Sequence, residues 1–213
     1  MILSIVSRKG GVGKTTLATN ISTCLVLNHK DVLIVDSDKQ HSASNWALER
    51  SEQELPKINW TQQHDNIAVS LRDFQSRYEY VIVDAAGRDS MEMRSSMLVA
   101  DALLIPCRPA QFDLDTLPYM VELINQARMI NPNLLAYCVI SMSPGTSKGD
   151  TRDAIKFIKQ YSEMQLLETV IGDRKIYRDS SACGMGVVEL QAKTASDNAG
   201  KEEMNSLMGE LWR

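Results

Sequence analysis

Arg8-Lys9-Gly10-Gly11-Val12-Gly13-Lys14-Thr15-Thr16 packs three glycines and two lysines into nine residues near the start of the chain. It stands between a short apolar run, Ile2 to Val6, and an amphipathic segment, Leu17 to Leu27. Strand, glycine-rich turn and helix in that order form the setting of a phosphate-binding loop. Glycines let successive backbone N–H groups curl around an anion with no Cβ in the way. The open N–H groups and positive dipole end of the next helix add to that attraction. Lys14 is then placed to reach the β- and γ-phosphates, and the Thr15 hydroxyl to ligate Mg²⁺. The pattern G-x-x-x-x-G-K-[ST] is met except at its first glycine, where Arg8 stands, and a second lysine, Lys9, precedes the glycines.

Outward from this loop, apolar strand-like runs alternate with helical ones. Asp31 to Asp36, Tyr80 to Asp84, Ala102 to Pro106, Leu134 to Ser141 and Leu167 to Ile171 read as buried strands, and Lys57 to Trp60 as a weak one. Helices are expected from Gly13 to Asn28, through Trp46 to Arg50, and over Ile67–Ser76, Met91–Ala100, Leu114–Ile130 and Asp150–Tyr161. Residues 172–188 read as loop with one helical turn, and 196–213 as a C-terminal amphipathic helix. The alternation predicts a single α/β domain over 1–213, doubly wound, with a mostly parallel sheet and helices on both faces. Ligands of such sheets bind beyond the carboxyl ends of the strands. The phosphate loop, Asp36, Asp84 and Pro106 all fall there.

Composition sets the outer bounds. The chain has 213 residues, 44% hydrophobic and 23% charged, the balance of a soluble globular domain with a full core. No apolar run reaches the roughly 18 residues that span a bilayer. The chain opens directly on a strand-like run, so a cytoplasmic protein without a signal peptide is expected. Cys24, Cys107, Cys138 and Cys183 are scattered without a C-x-x-C pair and read as buried free thiols. His29, His41 and His64 lack metal-ligand spacing and read as loop or helix-end residues. A net charge of −4 argues against a surface coated for nucleic acid, but leaves room for a local basic face.

The string K-G-G-x-G-K-T-T over Lys9–Thr16 resembles the deviant Walker A motif of the ParA/MinD family of ATPases. The resemblance covers residues 1 to about 190 and implies a P-loop NTPase fold, ATP and Mg²⁺. It implies that Lys9, Gly10, Gly11, Val12, Gly13, Lys14, Thr15 and Thr16 hold the nucleotide. Lys9 would reach across a homodimer interface to the other subunit's phosphates. Val81-Ile82-Val83-Asp84 has the form of a Walker B acid, so Thr15 and Asp84, with Asp38, become the metal-side residues. Gly87 fits the turn that senses the γ-phosphate.

Asp36-x-Asp38 resembles the family's D-x-D-P-Q switch, with Lys39 in place of the proline and Gln40 kept. Asp38 becomes the candidate that orients the attacking water, beside catalytic Lys9 and Lys14. The plain alternative is an Asx turn after a strand. Pro106-x-x-Pro109 resembles a loop on the adenine side of partition ATPases, although prolines that fix a loop's path read the same way. Arg174-x-x-Tyr177, with Gly184 and Gly186, resembles a C-terminal family segment. The sixth strand ends Ile140-Ser141-Met142-Ser143 without the asparagine the family often carries there. The guanine-reading N-K-x-D motif is also absent.

Lys148, Arg152, Lys156 and Lys159 recur at three- to four-residue spacing, and Arg174, Lys175 and Arg178 form a second cluster. They read either as a solvated face or as a footprint on the phosphate backbone of nonspecific DNA. Met204, Leu207, Met208, Leu211 and Trp212 share a face of the last helix. With Lys201 and Arg213 set against Glu202, Glu203 and Glu210, packing on the domain is expected rather than membrane binding.

The leading expectation is a small ParA-type DNA-segregation ATPase, weakly active alone and Mg²⁺-dependent. It would dimerise on ATP, associate with the nucleoid and be stimulated by a ParB-like centromere-binding partner. The second is a MinD-like spatial regulator that positions a protein cargo or division machinery. A metabolic or metal-trafficking relative is a third, and the cysteine spacing argues against it.

Overall fold

The computed structural model describes residues 1–145 and 148–211, with the backbone alone at residue 148. In chain order the elements are β1 (Ile2–Ile5), α1 (Lys14–Leu27), β2 (Val32–Asp36), α2 (Ser42–Ser51), β3 (Asn59–Gln62), α3 (Ala68–Gln75), β4 (Tyr80–Asp84) and α4 (Met91–Met97). There follow β5 (Ala102–Cys107), α5 (Gln111–Leu114), α6 (Leu117–Arg128), β6 (Leu135–Ser143), α7 (Lys148–Ile158), β7 (Gln165–Gly172), α8 (Lys175–Ser181) and α9 (Ala195–Leu211). The strands form one sheet in the order β3-β2-β4-β1-β5-β6-β7. Every pairing is parallel, so all the strands end on the same side.

The apolar runs are continuous because the central strands are covered on both faces, and successive side chains divide between two cores. Ile2, Leu33, Val35, Val81, Val83, Leu103 and Ile105 point into the core beneath α3, α4, α6 and α7. Leu3, Ile5, Val32, Ile34, Ile82 and Leu104 point into the opposite one, closed by α1, α2, α8 and α9. Ser4 is the polar exception in β1, and its buried hydroxyl is satisfied by Ser96 at 2.7 Å.

Several elements depart in detail from the sequence reading. The expected helix over 114–130 is broken into α5 and α6, with Pro118 in the first turn of α6, where a missing N–H costs nothing. The helical turn expected within 172–188 is α8, which runs for 7 residues. The weak third strand lies slightly later than expected, because its register with β2 runs from Leu33–Asn59 to Asp36–Gln62. Cys24, Cys107 and Cys138 are buried and free as expected, whereas Cys183 is exposed just beyond α8.

The last helix packs on the domain. Met204, Leu207 and Leu211 are buried in the α1 side core. Its acids cover the sheet's outer strand: Glu210 accepts from the N–H groups of Glu168 at 2.6 Å and Thr169 at 2.9 Å, and Glu203 from that of Gly172 at 3.1 Å. Backbone donors that an edge strand would leave open are thereby satisfied. Trp212 and Arg213 lie outside the described residues. Among those described, no helix is long and apolar enough to cross a membrane.

One buried ion pair clamps α2 to the segment after α8. Arg50, 2% exposed, donates to both carboxylate oxygens of Glu189 at 2.8 Å, to the Pro56 carbonyl at 3.0 Å and to the Gly184 carbonyl at 3.1 Å. Removing one partner strands the other charge away from water. Arg50→Ala is therefore expected to lower unfolding stability by roughly 3–5 kcal/mol in denaturant titration. A loss below about 1 kcal/mol, the value of an exposed pair, would contradict this account.

Candidate nucleotide site

The loop between β1 and α1 takes the shape its glycines permit. Gly11 (φ 70°) and Gly13 (φ 88°) lie in the left-handed region that side chains disfavour. Gly13 is also the N-cap of α1, where no side chain accepts from the helix's first N–H groups and no acid stands in the first turn. Those donors remain available to an anion. Gly87 completes the wall from the turn after β4. A Cβ there would come within 2.8 Å of the Gly10 Cα and 3.0 Å of the Lys14 amine, so only glycine allows this approach.

Lys14 is buried, and its amine donates to the Lys9 carbonyl at 3.2 Å. Burial holds its pKa below the usual lysine range, with Asp84 and then Asp38 opposing the shift. Thr15 donates to Asp84 Oδ2 at 2.6 Å. The other oxygen, Asp84 Oδ1, is buried without a hydrogen-bond partner. Burial, against the Thr15 hydrogen bond and reinforced by Asp36, pushes the Asp84 carboxyl up to about 7. An unbonded buried carboxylate oxygen beside a threonine hydroxyl is a hard-oxygen pair suited to Mg²⁺, so Thr15 and Asp84 fit the ion.

The two acids after β2 have different surroundings. Asp36 is fully committed, accepting from the Ser44 N–H and hydroxyl, each at 2.8 Å, and from the Asp38 N–H at 3.1 Å. Asp38 accepts from the Gln40 N–H at 3.0 Å, the Asx turn the sequence also allowed, yet it lines the cleft. That cleft, of about 670 Å³, runs past Gly10, Lys14, Thr15, Asp38 and Gly87. A second hollow of about 360 Å³ shares Gly13, Thr16 and Met142 with it and continues to Ile171 and Tyr177. Its walls are largely apolar, as a nucleobase requires.

Sequence reasoning marked the end of the sixth strand and Tyr177 only through resemblance, and passed over Ile171. Pro106 and Pro109 do not join either space. Both are buried, and Pro106 sits within β5, beside a small crevice with Ser7, Lys9 and Val12. Lys9 borders that crevice rather than the cleft, and its ammonium lies 5.9 Å from the centroid of the Phe112 ring.

The basic residues divide. Arg152, Lys156 and Lys159 are exposed along and just beyond α7, with Lys156 3.5 Å from Asp153. Arg174 is drawn inward, donating to Glu203 at 2.6 and 2.8 Å. Arg178 pairs with Asp173 at 2.6 Å and Lys175 with Asp179 at 2.6 Å. The side chain of Lys148 lies outside the described residues.

With this geometry, the chain matches the CobQ/CobB/MinD/ParA nucleotide binding domain over residues 3–187. The chain belongs to that family. Among its relatives, "Maintenance of carboxysome distribution protein A" of Halothiobacillus neapolitanus is 28% identical, over 98% of this chain and 95% of that protein. The chromosome partitioning protein ParA of Myxococcus xanthus is 22% identical, over 80% of this chain and 74% of that protein. A Cyanothece McdA variant solved in complex with ATP has the same fold, with a TM-score of 0.73 at 16% identity, covering 99% of this chain and 95% of that one.

The family fold leaves Asp84 as a carboxyl whose proton is held more tightly in the folded chain than at its ordinary value of 3.8. Its contribution to stability is therefore present below that value and is lost as pH rises through about 7. Asp84→Asn is expected to raise the thermal stability of the nucleotide-free protein at pH 8, by on the order of a few kcal/mol, with the gain shrinking toward pH 5. A gain that does not change with pH would contradict the buried-charge account.

Proposed function

We propose that this chain is an ATPase that positions a protein cargo, pairing with a second copy when ATP is bound. The observation that carries the reading is the end-to-end similarity to a protein that maintains carboxysome distribution. The sequence alone ranks DNA segregation first. The partition relative that supports that reading matches less of the chain at lower identity, so cargo positioning moves ahead.

The loop N–H groups and Lys14 would hold the phosphates, and the hollow beside Met142 and Tyr177 would take adenine. Thr15 and Asp84 would hold Mg²⁺, which supplies positive charge against the phosphate oxygens when bound. Asp38 would orient the water for in-line attack, and Lys9 would contact the partner's phosphates. Such a carrier needs a track, and nonspecific DNA is the one the exposed Arg152, Lys156 and Lys159 could grip. An adaptor on the cargo, rather than a centromere-binding protein, would stimulate hydrolysis.

Deleting the gene in its host and imaging protein assemblies alongside inheritance assays tests the reading. Mislocalised assemblies with intact plasmid and chromosome inheritance are expected; faithful assembly positions with plasmid loss would restore the segregation reading. In vitro, binding to a random-sequence duplex is expected only with ATP and should fall steeply with salt. Replacing Arg152, Lys156 and Lys159 by Ala should weaken it at least tenfold, and unchanged binding would make α7 a solvated face.

A further inference from the structure

Two consecutive cations at the entrance of the phosphate loop each rest on an aromatic ring from one short segment. The Arg8 guanidinium carbon lies 4.4 Å from the centroid of the Tyr119 ring. The Lys9 ammonium lies 5.9 Å from that of Phe112. Both fall within the roughly 6 Å over which a ring's quadrupole attracts a cation. Phe112 belongs to α5 and Tyr119 to the start of α6.

Tyr119 is itself fixed. Its hydroxyl donates to Asp89 Oδ2 at 2.6 Å and accepts from Arg94 Nη2 at 2.8 Å. Arg94 in turn binds both oxygens of Asp89, at 2.6 and 2.7 Å. Asp89 stands two residues beyond Gly87, the glycine packed against Gly10, so the contacts close a ring from the phosphate loop through the β4–α4 turn to α6.

Phe112 has no such support. It is 76% exposed, and burial in the core does not account for it. The Lys9 backbone and side chain have different partners: its carbonyl accepts from the Lys14 amine at 3.2 Å, while its ammonium stands over the Phe112 ring.

We propose that Phe112 and Tyr119 are positioning residues that hold Lys9 and Arg8 outside the chain's own cleft, on the face a second copy would meet. Lys9 is then offered to the other copy's nucleotide, and Arg8 stands beside it as a second cation. A side chain ordered before association loses less freedom when the two chains pair. The inference rests on the reading that two copies pair on ATP.

The test measures the dimer dissociation constant of the full chain by sedimentation with Mg²⁺ and a non-hydrolysable ATP analogue. Phe112→Leu keeps the apolar bulk and removes the ring. It is expected to weaken pairing about two- to fivefold, Phe112→Trp to restore it, and neither to alter ADP binding by the single chain. In a Lys9→Ala background Phe112→Leu should have no further effect, and Tyr119→Leu should likewise have none in an Arg8→Ala background. Equal losses with and without Lys9 would mean that Phe112 touches the second copy itself, and would overturn the positioning role. So would a Phe112→Leu chain that pairs normally while Lys9→Ala does not. A Lys9→Ala chain that pairs as tightly as the parent would overturn the pairing reading, and this role with it.

Discussion

The Thr15 hydroxyl donates to Asp84 across 69 positions of sequence, and the site depends on that contact. It exists because β1 and β4 are parallel neighbours, with Ile5 opposite Asp84, so the loop after one strand lies beside the acid ending the other. A carboxyl buried there with one oxygen unbonded carries a desolvation cost. The Mg²⁺ proposed for Thr15 and Asp84 would offset that cost. Gly87 closes on Gly10 and the Lys14 amine nearby, and Asp36 holds the Asp38 loop in reach by taking three donors.

Much of this was legible because it is local. A strand-loop-helix with glycines at fixed offsets, and apolar runs ending in acids, need only neighbouring residues to be read. The parallel sheet followed from alternation, and the acids' common edge from the direction of the strands. The sequence was less informative where distant segments decide the outcome. Nothing local separates Asp36, saturated by Ser44, from Asp38, which faces the cleft; resemblance alone ranked them. Arg174 looked like part of a basic patch because its partner Glu203 lies in another helix. The strand read as ending at Pro106 runs one residue further, to Cys107, so the Pro106–Pro109 segment is less of a loop than its resemblance implied. The apolar hollow beside Met142 and Tyr177 arises only when α8 folds over the end of β6.

The charge pattern of α9 carries a similar lesson. Its glutamates weigh against an anionic membrane, but their observed work is structural: Glu203 and Glu210 accept from the open edge of β7. A helix that caps a sheet edge with carboxylates keeps its apolar face inward, where Met204 and Leu207 meet α1. The family model describes one nucleotide-binding domain shared by CobQ, CobB, MinD and ParA proteins.

In the proposed pairing, ATP and not ADP joins two copies of this chain through a site that is otherwise complete in one. Sedimentation velocity of the unmodified protein with Mg²⁺ and ATP, ADP or no nucleotide tests it most directly. The account predicts a dimer with ATP and a monomer in the other two conditions. A monomer with saturating ATP, or the same dimer in all three conditions, would contradict it.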